Sequence, residues 1–129
     1  MNIAFFGTGI LGFPMAEQLI KRGHQLCIYN RTKKKCAPLA KKGARLCDTP
    51  TQALADSRVL IVVLTDHAAI DEVLFKKDIK SFAGKTVIQM STIGAKESQA
   101  LQQKIRTLGG DYLECPVLGS RAEAASACP

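Results

Sequence analysis

Apolar and polar positions alternate in blocks along this chain. Apolar runs of strand length stand at residues 2–6 (NIAFF), 25–29 (QLCIY), 44–47 (ARLC), 58–64 (RVLIVVL), 85–90 (KTVIQM) and 111–117 (DYLECPV). Several are rich in β-branched or aromatic residues, and such runs predict strands. Between them lie longer segments with helical spacing. Met15 and Leu19, like Ala16 and Ile20, are i,i+4 pairs, and Gly23 follows where a helix would stop. RTKKKCAPLAKKG (31–43) ends likewise on Gly43, although Pro38 within it argues against an unbroken helix. In TPTQALADS, Thr49 is a candidate N-cap with Pro50 in the first turn, where a missing N–H does no harm. Asp66 is a second candidate cap, for HAAIDEVLF, and AKESQALQQKIRTLGG places Ala100, Leu101, Ile105 and Leu108 on one side of a helix.

Strands and helices that take turns with short connections predict an α/β fold, a doubly wound and mostly parallel sheet with helices on both faces. The second and fourth runs are apolar at nearly every position, as strands covered on both sides require. Six strands complete two mononucleotide-binding halves. The expected organisation is one domain over 1–117 and a tail, 118–129, with little to anchor it in a core.

Composition narrows this picture. An apolar fraction of 47% supports a core without disulfides. No apolar run approaches the ~20 residues of a membrane span. The N-terminus enters NIAFF without a basic segment or a cleavage site, so the expectation is a cytoplasmic protein with no membrane partner. Cys27, Cys36, Cys47, Cys115 and Cys128 are odd in number and contain no C-x-x-C pair, which points to reduced packing thiols and to no metal site. The net charge of +7 favours an anionic partner. Nucleic acid fits poorly, because only Tyr29 stands beside the basic cluster NRTKKK and a single-strand groove needs interleaved aromatics.

The sequence G-T-G-I-L-G at residues 7–12 offers a better anion. A lone G-x-G-x-x-G is weak, but this one follows the first strand directly and opens the first helix, the arrangement of a Rossmann fold. Gly7 permits the tight turn, Gly9 lets a diphosphate approach the main chain, and Gly12 lets the helix lie close to the strand. The main chain of Thr8, Ile10 and Leu11 belongs to the same loop, whose N–H groups face the negative charge. After the second strand, where NAD enzymes usually present an acid to the adenosine ribose, the chain reads YNRT. Asn30 removes the carboxylate that would repel a 2′-phosphate, and Arg31 supplies a planar fork to pair with it. Thr32 adds a hydroxyl, and Lys35 lies about one helical turn further on. The cofactor expected is therefore NADP, with NADPH preferred over NADH by about one to two orders of magnitude. Lys33, Lys34, Lys41 and Lys42 read as a solvated face.

With these residues in view, the chain resembles the N-terminal part of the β-hydroxyacid dehydrogenases, the group that includes 3-hydroxyisobutyrate dehydrogenase and the glyoxylate/succinic semialdehyde reductases. GTGILGFPMAEQLIKRGHQLCIYNRT is similar to that family's cofactor signature, and the similarity runs on through LTDHAAIDEVLF, VIQMSTI and YLECPVLGS. The resemblance implies that Leu64 and Thr65 follow the dinucleotide and that Thr92 contacts the nicotinamide ribose side. Helix capping by Ser91 or Thr92 is the structural alternative. It also implies that Leu118, Gly119 and Ser120 occupy the segment that holds a substrate carboxylate, although Leu118 stands where the family has serine and Ser120 where it has glycine. His24 reads as packing and His67 as surface. The family's lysine acid and its helical domain have no counterpart, so no catalytic residue is assigned and the fold is expected to be C-terminally truncated relative to the family. Two functions remain: the cofactor half of a reductase of small hydroxy acids or semialdehydes, inactive by itself, or a non-catalytic dinucleotide-binding or interaction module. An uncovered sheet surface would favour self-association.

Overall fold

The computed structural model describes residues 1–116. Six parallel strands form one sheet: β1 (Asn2–Phe6), β2 (Gln25–Tyr29), β3 (Arg45–Leu46), β4 (Val59–Val62), β5 (Thr86–Gln89) and β6 (Asp111–Glu114), in the order β3-β2-β1-β4-β5-β6. Five helices connect them: α1 (Gly12–Lys21), α2 (Ala37–Ala40), α3 (Pro50–Leu54), α4 (His67–Phe75) and α5 (Ala95–Thr107). The expected doubly wound sheet is present, and every pairing in it is parallel.

Strand side chains alternate between the two faces and build two core layers. Ala4, Phe6, Tyr29, Leu60, Val62 and Val87 pack with Ala53, Ile70, Leu74, Leu101 and Ile105, on the face covered by α3, α4 and α5. Ile3, Phe5, Leu26, Ile28 and Ile61 pack with Ala16 and Leu39, on the face of α1 and α2. Winding therefore reverses between β1 and β4, neighbours in the sheet whose following helices lie on opposite faces. A crevice opens outside the carboxyl ends of strands at such a switch point. On the α1 face the cover thins towards the far edge: Ile88 is half-buried and Leu113, its register partner on β6, is exposed.

Helix boundaries follow the local chemistry. Thr49 caps α3 by accepting a hydrogen bond from the Gln52 N–H at 3.2 Å, with Pro50 in the first turn. Asp66 caps α4 by accepting from the Ala69 N–H at 2.9 Å. At α5 the Glu97 carboxylate accepts from the Gly94 N–H at 2.9 Å. One expectation holds and one needs correction. The 31–43 segment is a short 3₁₀ turn (Lys33–Lys35) followed by the four residues of α2. Pro38 is tolerated in the first turn of α2, but its ring and missing N–H bar a helix running through it from residue 31. On α5 the buried stripe is Ser98, Leu101 and Ile105, while Ala100 is exposed. One residue turns a helix by about 100°, so Ala100 points away from the side that Leu101 presents to the sheet.

α4 and α5 are joined by charge as well as by packing. Lys104 donates to the Asp71 carboxylate at 2.8 Å, Lys76 lies 3.5 Å from its other oxygen, and the Lys104 ammonium stands 4.9 Å from the centre of the Phe75 ring. The hydrogen bond from Lys104 is the main cause that holds the Asp71 carboxyl below its ordinary value of 3.8. A lowered pKa means the contribution is complete above the unfolded value and is lost as pH falls through the folded one. Asp71→Asn should therefore cost about 1 kcal/mol or less near neutrality. The difference from the parent chain should shrink as urea titrations move below the ordinary carboxylate value.

Candidate functional site

The carboxyl ends of β1, β2 and β4 open into one cleft, lined by the glycine-rich loop, the turn after β2 and one side of α4. Gly7 leads into it with φ +98°, a left-handed conformation that favours glycine, and its N–H donates to the Tyr29 carbonyl at 3.4 Å. A Cβ on Gly7 would stand 2.0 Å from the Val63 carbonyl oxygen, and one on Gly12 would stand 2.0 Å from the Gly7 carbonyl oxygen. Both positions are thus glycine because the main chain closes on itself. Gly9 differs, since a Cβ there would meet nothing within 4 Å. Its bareness is not demanded by any neighbour in the fold.

Two further observations bear on what the loop can hold. α1 follows its N-cap residue Leu11 without a side-chain cap, whereas Thr49 and Asp66 cap α3 and α4. Among the described residues, the N–H groups of Ile10, Leu11 and Gly12 meet no acceptor. The Thr8 hydroxyl, on a residue only 4% exposed at the cleft wall, likewise has no hydrogen-bond partner. Unsatisfied donors at a helix N-terminus attract anions through both hydrogen bonding and the helix dipole. A diphosphate fits this arrangement.

Asn30 does more than omit a charge. Its Oδ1 accepts from the Thr8 N–H at 3.2 Å, and its Nδ2 donates to the Thr32 carbonyl at 2.8 Å. An amide can accept and donate at once, which a carboxylate cannot, so asparagine ties the glycine loop to the turn carrying Arg31 and Thr32. Arg31, Thr32 and Lys35 line the cleft beside the loop, and the Arg31 side chain is 78% exposed. Leu64 and Thr65 line it from the end of β4. Leu64 is held by its N–H, which donates to the Ser91 hydroxyl at 2.8 Å. Ser91 is thereby buried in a tie between β4 and β5, while Thr92 is exposed and stands outside the cleft lining. Ile10 is also outside it and 77% exposed. Leu118, Gly119 and Ser120 lie outside the described residues.

The cleft also contains residues that the sequence reading did not single out: Tyr29, Val63, Ala69, Glu72, Val73 and Lys77. Ala69, Glu72, Val73 and Lys77 recur at helical spacing, a signal that was available. That α4 turns this side towards the end of β2 follows from the strand order. Glu72 stands between two cations, its oxygens 3.9 Å from Arg31 and 3.9 Å from Lys77. His67 is half-buried and 3.5 Å from Glu97, so it is not simply a surface residue. His24 is also half-buried, in the turn before β2. Cys27, Cys36 and Cys47 are buried free thiols, and burial pushes those of Cys36 and Cys47 up from their ordinary value. Cys115 is exposed. No cluster among the described residues could hold a metal ion, and no helix among them is long and apolar enough to cross a membrane.

Comparison with known proteins agrees with this geometry. The chain is 35% identical over 127 residues to glyoxylate/succinic semialdehyde reductase 1 of Arabidopsis thaliana, a match covering 96% of this chain and 44% of the reductase. It is 33% identical to the cytokine-like nuclear factor N-PAC of Drosophila melanogaster, covering 96% of this chain and 21% of that protein. It thus spans less than half the length of these relatives. A solved reductive aminase from Aspergillus terreus, in complex with NADPH and ethyl levulinate, superimposes with a TM-score of 0.90 at 31% identity, over 95% of this chain and 42% of the aminase. The resemblance to β-hydroxyacid dehydrogenases is borne out at this level. The family model for the NAD binding domain of 6-phosphogluconate dehydrogenase runs through residues 2–128, and the chain belongs to that family of nicotinamide dinucleotide-binding domains.

Proposed function

We propose that this chain is the NADP(H)-binding domain of an oxidoreductase related to 3-hydroxyisobutyrate dehydrogenase, acting on small hydroxy acids or semialdehydes. The observation that carries the cofactor choice is Arg31 and Lys35 in one cleft with the glycine-rich loop, with no carboxylate at position 30. In this reading the N–H groups of Ile10, Leu11 and Gly12 hold the diphosphate. Arg31, Thr32 and Lys35 hold the 2′-phosphate, and Leu64, Thr65 and Thr92 follow the cofactor towards its nicotinamide. When bound, the dinucleotide supplies a hydride donor or acceptor, and the residues named here bind and orient it. Leu118, Gly119 and Ser120 would face the substrate carboxylate. The domain is proposed to span 1–117 with 118–129 as its tail.

Arg31→Ala should weaken NADPH by about one to two orders of magnitude, the worth of a charge-assisted hydrogen bond, and should change NADH little. Salt should also weaken NADPH binding more than NADH binding, since the exposed 2′-phosphate is the screened group. Equal losses for both cofactors in fluorescence titrations would overturn the assignment.

Turnover is a separate matter. The 129-residue chain by itself should bind NADPH without oxidising it steadily in the presence of glyoxylate or succinic semialdehyde. A positioned acid supplies typically ~10²–10⁴-fold to carbonyl reduction. Alignment against a second wall can supply ~7–11 kcal/mol more. Oxidation that scales with protein and disappears in Gly9→Val would refute this. The part-covered face at Ile88 and Leu113 is proposed to favour self-association, which a monomeric sedimentation coefficient across concentrations would exclude. A second reading, a module that binds dinucleotide without any reaction, draws support from the match to a protein whose name is that of a nuclear factor and not of a reductase. Turnover with either aldehyde excludes it.

A further inference from the structure

Among the described residues that line the cleft, Glu72 is the one acidic side chain. Its two oxygens face different cations, Oε2 towards Arg31 Nη1 at 3.9 Å and Oε1 towards Lys77 Nζ at 3.9 Å. Both separations exceed those of direct hydrogen bonds, so the carboxylate sits between the two as a counter-charge and not as a clamp. It is also 45% exposed, which leaves it open to whatever enters the cleft.

We infer that Glu72 sets how strongly this site prefers a 2′-phosphorylated dinucleotide over the unphosphorylated one, acting as a built-in competitor for Arg31 and Lys77. The inference rests on the reading of Arg31 and Lys35 as the 2′-phosphate end. A dianionic phosphate docking beside Arg31 must share that cation with Glu72 and feels repulsion from the same carboxylate. A ribose carrying a free 2′-hydroxyl feels neither effect, and can donate a hydrogen bond to a carboxylate. Both differences act in one direction, narrowing a preference that Arg31, Lys35 and Lys77 would otherwise make wider. Lys77 enters this account as a third cation of the phosphate end, supplied from beyond α4.

The test is a set of dissociation constants for NADPH and NADH, measured at low salt on the full chain, with Glu72→Gln, Arg31→Ala and the double variant. Glutamine keeps the shape and removes the charge. Glu72→Gln should tighten NADPH about three- to tenfold, the range for one charge acting on a phosphate across a wet surface, and change NADH by less than about twofold. The gain should fade as salt is raised, and it should shrink in the Arg31→Ala background, where only direct repulsion and the competition for Lys77 remain. Weaker NADPH binding by Glu72→Gln would mean that Glu72 orders Arg31 and would overturn the inference. So would equal changes for both cofactors, or no change. If Arg31→Ala leaves the NADPH-to-NADH ratio untouched, the reading of the 2′-phosphate end fails and takes this inference with it. If Arg31→Ala lowers the ratio while Glu72→Gln does not raise it, only the role of Glu72 falls.

Discussion

Gly9→Val should remove measurable binding of NADPH and NADH together while leaving the chain folded. The two halves of that result come from different facts. A Cβ at position 9 meets nothing within 4 Å, and Gly9 has no positive φ that a side chain would strain, so the fold itself accepts the substitution. Stability should stay within about 1 kcal/mol, with a small gain from a less flexible unfolded chain. The space that valine fills is where the diphosphate would approach the loop. Losing two charge-assisted contacts there would cost about 3–6 kcal/mol, or roughly two to four orders of magnitude in affinity. Calorimetric titration on a variant with an unchanged thermal midpoint would establish it. Retained binding would show that the diphosphate lies elsewhere.

Gly12→Ala should fail in the opposite way, through the fold. Its Cβ would stand 2.0 Å from the Gly7 carbonyl oxygen and 3.5 Å from the Phe5 ring. The first of these is a main-chain atom in a turn already held at φ +98°, so it has little room to step aside. Overpacking of this kind costs about 3 kcal/mol, a large share of the ~5–15 kcal/mol that stabilises a typical domain. The thermal midpoint should fall by about 10 °C, with binding lost in proportion to the unfolded fraction. A midpoint within about 2 °C of the parent chain would show that α1 can shift away from the loop at little cost.

These paired outcomes follow the division of labour that the motif itself predicts, with Gly7 in the tight turn, Gly9 open to the diphosphate and Gly12 in close packing. The structure adds the atoms, because only contacts across the fold show that a Cβ on Gly7 or Gly12 would meet a main-chain carbonyl and one on Gly9 would meet nothing. Asn30 is similar. Its missing charge is legible in YNRT, whereas its bonds to Thr8 and Thr32 depend on where β1 delivers the loop. The capping residues Thr49 and Asp66 were legible in full, since a cap acts on N–H groups within three positions of itself. Ala100 was misplaced because an alanine satisfies either side of a helix, and the sheet selected Ser98 instead.

What the sequence by itself determined was therefore local and periodic: the apolar runs, the helix caps, the position of the glycine loop between strand and helix, and the basic residues after β2. Short-range hydrogen bonding and side-chain periodicity decide such features, and both are written in neighbouring residues. The tertiary structure decided which strand ends meet. Pairing β1 with both β2 and β4 brings α4 to the mouth of the cleft, and with it Glu72 and Lys77, more than forty residues from the glycine loop. It also left Thr92 exposed and tied the Ser91 hydroxyl to the Leu64 N–H. Contacts of that kind arise from the order and winding of the sheet, and adjacent residues carry no record of them.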